Sequence, residues 1–291
     1  MKTQLKTPIK ASKIASGLGL QLIGDDIDIV EIAPLNALTA NALSFSKKSQ
    51  PIHSEKPCLV IGPESLAGEN CAVLASQNPR LDFTKALIFL NDHIGFMRCD
   101  TPPSIDPTVS IGNNVSIGNG VTIGKGTIIY HNVVIADGVA IGENCVIKSG
   151  AVIGEEGFGF ERDEEGTPLR MLHFGGVTIG NRVEIGSLTT VCRGTMSQTL
   201  IEDDVKIDDQ VHIAHNCIIR KKVLIVGTAS ICGGVEVKEG AWVSPNSTIL
   251  QKQTIGEKAF VGLGAVVMSP VSANACMVGN PAKRFEVKRE G

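Results

Sequence analysis

The sequence predicts a mainly β protein, a parallel β-helix of hexapeptide repeats with about eight coils, preceded by a small α/β domain. Three observations carry that expectation. An aliphatic residue returns every six positions through most of the chain, from Ile105 to Val267. Glycine reaches 32 residues and aromatics only 4%, so the core has to be aliphatic and the chain has to turn often. Residues 1–100 show no such period, and a separate unit is expected there.

Taken in order, IKASKIASGLGL reads as a short helix stopped by glycine. ALSF and PCLVIG read as strands, and NPRLDFTKALIFLND as a helix after a turn. Together they give the α/β domain. The proline-rich TPPSIDP marks its junction with the rest.

Beyond the junction, residues 105, 111, 117, 123, 129, 135, 141, 147 and 153 are all isoleucine. The register returns at Ile179, Ile185 and Val191, slips by four, and runs from Ile201 to Val267, for 24 hexads in all. Neither a helical period of 3.6 nor an alternation of 2 produces this. A period of six fits a coil with three short flat faces, each sending one aliphatic side chain to the axis. Three hexads close an 18-residue coil, so residues 18 apart stack at one strand spacing, about 4.8 Å. The residues after the aliphatic position (Gly112, Gly118, Gly124, Gly142, Gly154, Asp208 and Gly256) are assigned to corners. The β-helix is placed at 101–268. Residues 154–178 break the register and read as an extruded loop, and 269–291 as a proline-punctuated strap with a basic end and no room for a long helix.

Composition narrows the function. A net charge of −3 and a pI near 6.1 give no basic field for nucleic acid. The eight cysteines show no CxxC or paired spacing and read as free thiols. No stretch of about 18 apolar residues appears, and the N-terminal residues lack a signal-peptide core. A cytoplasmic protein without a transmembrane segment is expected.

The chemistry-bearing residues concentrate in KIDDQVHIAHNCI, which brings Asp208, Asp209, His212 and His215 into one coil. An imidazole can take a proton from an amine attacking a thioester, and a carboxylate can fix its tautomer; the same residues also suit solvated corners. Gly233 lies 18 positions after His215, which sets its backbone beside the histidine ring, although Gly233 and Gly234 equally suit a tight corner. A zinc site would need His131, His173, His212 and His215 to converge by threes, and no ligand spacing supports it. No metal is assigned. Interruptions on a rigid solenoid usually bear ligand contacts, which favours an enzyme over a non-enzymatic scaffold.

The motifs SGAVIGEEGFGF, VTIGNRVEIGSLTTVCRGT and IDDQVHIAHN, with ALSFSKK and the NPRL segment before them, cover most of the chain. In that order they resemble the UDP-3-O-(3-hydroxyacyl)glucosamine N-acyltransferase family of lipid A biosynthesis, among the hexapeptide-repeat acyltransferases. The resemblance implies a left-handed coil, a uridine-binding first domain and, by analogy, a homotrimer. It implies His215 as general base, Asp208 as its support and the Gly233 N–H as oxyanion donor. Phe45 matches one of two aromatics that hold uracil; the second is absent from SKKSQPIHSEK. Lys252 stands where that family has a second histidine and, with His212, is assigned to substrate.

The ending departs from that family. VGLGAVV and VGNPAKRF look like sugar acetyltransferases that use coenzyme A, with Gly262 and Gly264 leaving a track for pantetheine and Lys283 and Arg284 meeting phosphate. The leading expectation is therefore transfer of a short acyl group, acetyl or 3-hydroxybutyryl, from acyl-CoA to the amine of a nucleotide-linked sugar for O-antigen or capsule, with no bound cofactor. The alternative is the lipid A reaction, with a 3-hydroxyacyl carrier protein as donor.

Overall fold

The computed structural model describes residues 3–285, which fall into two compact units. One runs to Arg98 and includes Gly159–Phe174; the other holds Cys99–Phe158 and the chain from Gly175 onward.

The first unit is built on six strands: β1 (Gln4–Lys10), β2 (Leu22–Ile23), β3 (Asp28–Ile32), β4 (Ala42–Phe45), β5 (Cys58–Gly62) and β6 (Cys71–Ala75), ordered β1-β3-β4-β5-β6-β2. The inner four are parallel, while β1 and β2 run antiparallel at the edges. Every residue of β5 is buried, which is why CLVIG is an uninterrupted apolar run. Helix α1 (Ala11–Leu18) buries Ile14 and ends where Gly19 takes φ 66°, in the left-handed region that stops a helix. Helix α2 (Pro79–His93) starts on a proline, whose missing N–H costs nothing at the first helical position. The two helices touch closely, since a Cβ on Gly17 would lie 2.4 Å from the Phe89 ring.

The segment expected as a loop carries structure of its own. Phe160–Arg162 pairs with Pro168–Arg170 as a hairpin, whose turn is held by Asp163 accepting the N–H groups of Glu165 and Thr167. Arg80 and Lys85 on α2 pair with Glu161 and Glu164 at 2.8 and 2.7 Å. Phe174 packs on Phe96, ring centroids 4.3 Å apart.

The second unit is a β-helix of eight coils. Among the described residues its three sheets have eight, ten and eight strands, the ten including two from the strap, and all pair in parallel except the last strand of the strap. The first face runs from Ser104–Ile105 to Thr254–Ile255, the second from Ser110–Ile111 to Phe260–Val261 and the third from Ser116–Ile117 to Val266–Val267. Residues 18 apart pair within each face, as Ile123 with Ile141 and Ile213 with Ile231. The inward ladder is buried to within a few per cent from Ile123 to Val267, whereas Ile111 in the opening coil is 43% exposed. Each buried isoleucine contributes roughly 1.5–3 kcal/mol over an exposed one, so the ladder rather than any local propensity holds the coils.

The corners differ from the sequence expectation. The left-handed residue is the third after the inward aliphatic, as at Asn114, Asn132, Asn216 and Lys252; of the assigned first residues only Gly154, where the register breaks, has a positive φ. Gly112 and Gly142 are required for another reason, close approach between coils. A Cβ on them would lie 2.7 Å from the Tyr130 carbonyl carbon and 2.5 Å from the Gly180 oxygen.

The strap closes the far end. Val271 bridges to Ile255, Cys276–Val278 pairs with Phe260–Val261, and the Ala282 N–H reaches the Val266 carbonyl at 2.7 Å. All three faces thus find backbone partners where the coil stops. No helix among the described residues is long and apolar enough to cross a membrane.

Candidate active site

Every break in the hexad register falls on one corner of the β-helix, between the third face and the first. The segment around the hairpin leaves after Val152–Ile153 and returns at Val177–Ile179. One coil later the four extra residues lie between Thr190–Val191 and Thr199–Ile201. In the next coil, between His212–Ile213 and Ile218–Ile219, the same corner carries His215. Gly233 and Lys252 follow on it in the two coils after that.

His215 is half-buried, and its Nδ1 lies 3.0 Å from Oδ1 of Asn216. That oxygen also accepts the Thr195 N–H at 3.1 Å and the Thr195 hydroxyl at 3.0 Å, while Asn216 Nδ2 donates to the Ser197 carbonyl at 3.4 Å. These partners identify the amide oxygen. An oxygen facing Nδ1 requires the ring proton there, which leaves Nε2 as the basic nitrogen.

The carboxylate expected to support His215 does not do so. Asp208 follows the second face at the preceding corner, where Oδ2 accepts the Gly227 N–H at 3.0 Å. It borders a groove with Lys148, Glu184, Leu224 and Trp242. A corner recurs every six residues, so seven residues of separation put Asp208 and His215 on different corners. The side chain that meets Nδ1 is Asn216, and neither it nor Thr195 is singled out by the sequence, although IAHN and RGT contain them.

Gly233 is where the 18-residue spacing put it. A Cβ there would lie 2.7 Å from His215 Cε1 and 2.8 Å from Nε2, so the absent side chain makes room for the ring. Lys252 donates its N–H to the Gly233 carbonyl at 2.9 Å, and its stem passes over Gly234, 3.5 Å from where a Cβ would be. His212 stands on the outward side of the third face between Thr190 and Ser230, with Nδ1 2.7 Å from the Thr190 hydroxyl. Partial desolvation of its ring against the neighbouring side chains, and then the neighbouring charge of His215, hold its pKa below the usual histidine value. His131 instead bonds the Asn113 N–H at another corner, and His173 lies in the first unit. Among the described residues no group of three or more His, Cys, Asp or Glu gathers as a metal site.

Phe45 ends β4 in the first unit, half-buried, with its ring 4.8 Å from that of Phe83. A cleft opens at the carboxyl ends of β4, β5 and β6, lined by Lys47, Pro63, Glu64, Ser76 and Asn78. Ligands of parallel sheets sit at such strand ends.

Of the two glycines expected along the donor track, Gly262 lies under the next strand, as Gly112 and Gly142 do: a Cβ there would lie 2.9 Å from Val278 Cγ1 and 3.2 Å from the Met277 oxygen. Gly264 is open, with no atom within 4 Å of its Cβ position. Lys283 and Arg284 are exposed on a short strand antiparallel to Met277 and Val278.

Comparison with known proteins agrees with this architecture. Residues 120–155 match the family described as bacterial transferase hexapeptide (six repeats). A UDP-3-O-acylglucosamine N-acyltransferase of Delftia acidovorans is 34% identical over 287 residues, covering 92% of this chain and 84% of that protein. One from Janthinobacterium is 30% identical and covers 89% and 84%. Among solved structures, the UDP-N-acetylglucosamine acyltransferase of Francisella novicida is 26% identical with a TM-score of 0.59, over 65% of this chain and 68% of that one. With identities of 34% and 30% to two such relatives over about nine-tenths of its length, the chain is an acyltransferase and belongs to the UDP-3-O-acylglucosamine N-acyltransferase family.

Proposed function

We propose that the protein transfers a 3-hydroxyacyl group from a carrier-protein thioester to the glucosamine nitrogen of a UDP-3-O-acylglucosamine, a step toward lipid A. The observation that carries this reading is the likeness to N-acyltransferases of that name over nine-tenths of the chain, 92% in one case. It replaces the O-antigen or capsule expectation as the leading one, since the relatives from Delftia acidovorans and Janthinobacterium are both named for UDP-3-O-acylglucosamine.

In this mechanism the amine attacks the thioester carbonyl and its proton passes to His215 Nε2 as the N–C bond forms. The oxyanion is stabilised by the Gly233 N–H, a contribution of roughly 3 kcal/mol for such a donor. Collapse breaks the C–S bond, and the imidazolium returns the proton to the thiolate. Asn216 keeps Nδ1 protonated throughout. Lys252 and His212 are assigned to the sugar nucleotide, Gly264, Lys283 and Arg284 to the donor's phosphopantetheine, and Phe45 to uracil. A homotrimer is part of the reading, and light scattering is its check.

A donor panel with thiol release as readout tests the reading. With UDP-3-O-acylglucosamine as acceptor, kcat/KM for the acyl carrier protein is expected to exceed that for the same acyl group on coenzyme A by about tenfold or more, roughly 1.4 kcal/mol in transition-state binding. A faster coenzyme A donor with a different amino sugar would return the O-antigen reading to first place.

Phe45→Ala is expected to raise the acceptor KM by about tenfold with little change in kcat, since a stacked base contributes roughly 1–3 kcal/mol of uniform binding. An acceptor KM unchanged in the substituted protein removes Phe45 from the nucleotide site.

A further inference from the structure

The slip of four residues between Val191 and Ile201 is absorbed by neither the fold nor the mechanism above. Val191 pairs with Ile213 and Leu200 with Ile218. Between the later pair the corner needs only Ala214–Cys217; between the earlier pair it takes eight residues, Cys192–Thr199. The enlarged corner wraps the side chain of Asn216.

Its construction is specific. Arg193 is buried and anchors the start, its Nε donating to the Gly154 carbonyl and its N–H to that of Glu155 at 2.9 Å. Gly194 permits the turn, because a Cβ there would lie 1.7 Å from the Ser197 oxygen and 2.8 Å from Asn216 Nδ2. Thr199 Oγ1 accepts the Asn216 N–H at 2.9 Å. Thr195 then directs both its N–H and its hydroxyl at the one oxygen that faces His215 Nδ1.

We propose that Thr195 is a positioning residue, which acts through Asn216 to hold His215 in the tautomer with the proton on Nδ1. An amide has an acceptor end and a donor end, and a flip of Asn216 would turn its NH₂ toward the ring. Nδ1 would then have to supply the lone pair, and the ring proton would move to Nε2, where the base is needed. Thr195 opposes that flip, because two donors would meet the NH₂ group. Loss of the correct histidine tautomer costs up to about 10⁴ in rate where the orienting group of a catalytic triad is replaced.

The inference rests on His215 being the general base, and the experiment separates the two. Thr195→Val keeps the shape and the backbone N–H but deletes the hydroxyl; Thr195→Ser keeps the hydroxyl. For Thr195→Val, kcat should fall roughly tenfold, about the effect of one hydrogen bond, with KM changed less than about twofold. Thr195→Ser should return kcat to within about twofold of wild type.

Nitrogen-15 spectra of the imidazoles, with His215 assigned from the spectrum of His215→Gln, should show Nδ1 protonated in the wild type. A resolved population protonated at Nε2 should appear in Thr195→Val and disappear in Thr195→Ser. An unchanged tautomer in Thr195→Val overturns the proposal whether or not kcat falls, and so does failure of serine to restore the rate. Full activity in His215→Ala would overturn the catalytic reading, whereas an inactive His215→Ala beside an unaltered Thr195→Val tautomer would overturn this inference alone.

Discussion

His215→Ala is expected to lower kcat by about 100-fold or more with the fold intact, since a positioned general base contributes roughly 10²–10⁴. The expectation rests on how the ring is held. Its Nδ1 meets an amide oxygen at 3.0 Å that two donors of Thr195 already identify, so the imidazole is committed to one tautomer before substrate arrives. The ring also lies at a corner whose two preceding coils carry the only long departures from the hexad period between Ile105 and Val267. A half-buried corner side chain adds little to the isoleucine ladder, so circular dichroism and melting should stay near wild type. Thiol release within about threefold of wild type would remove His215 from the mechanism, because no general base acts so weakly.

The fold was legible because the hexad period assigns each isoleucine directly to the axis; Ile123, Ile141 and Ile213 lie where that arithmetic puts them. Gly233 was legible for the same reason, one full coil from His215. What the period cannot say is which of the four corner residues turns left-handed. By sequence, glycines such as Gly112 look like turn formers, whereas the neighbouring coil's backbone is what excludes a side chain there. The family resemblance pairs Asp208 with His215, yet its carboxylate accepts the Gly227 N–H at the previous corner. Asn216 escaped notice because a neutral amide next to a histidine carries no charge signal; its role depends on the donors that Thr195 brings from another coil. That Cys276–Val278 adds one more parallel strand beside Phe260–Val261 and closes over Gly262 is announced by no local pattern in VGNPAKRF.

Gly233→Ala is expected to cost about 100-fold in kcat while leaving stability nearly unchanged, the second large effect at this corner. The backbone of Gly233 does not lie in the left-handed region, so alanine fits its conformation. The substitution also keeps the backbone N–H, and hence the proposed oxyanion donor. What it adds is one methyl group, 2.7 Å from His215 Cε1, 2.8 Å from Nε2 and 3.3 Å from Nδ1. Those separations are too short to persist. The backbone on both sides belongs to the coil ladder, and Asn216 is fixed by Thr195, Ser197 and Thr199, so the imidazole is the part that yields. A displacement of about 1 Å at a reacting group can lower the rate roughly 100-fold.

Gly234→Ala supplies the contrast. There φ is 70° and a Cβ meets only the Lys252 stem at 3.5 Å, so the cost should fall on the backbone, about 1–2 kcal/mol, with kcat little affected. Measured side by side, the two alanines should divide cleanly, Gly233→Ala losing turnover at an unchanged melting temperature and Gly234→Ala melting earlier at near-normal turnover. If Gly233→Ala turns over within about threefold of wild type, the ring can leave its place without penalty, and the geometry of Asn216, His215 and Gly233 is not what drives the reaction.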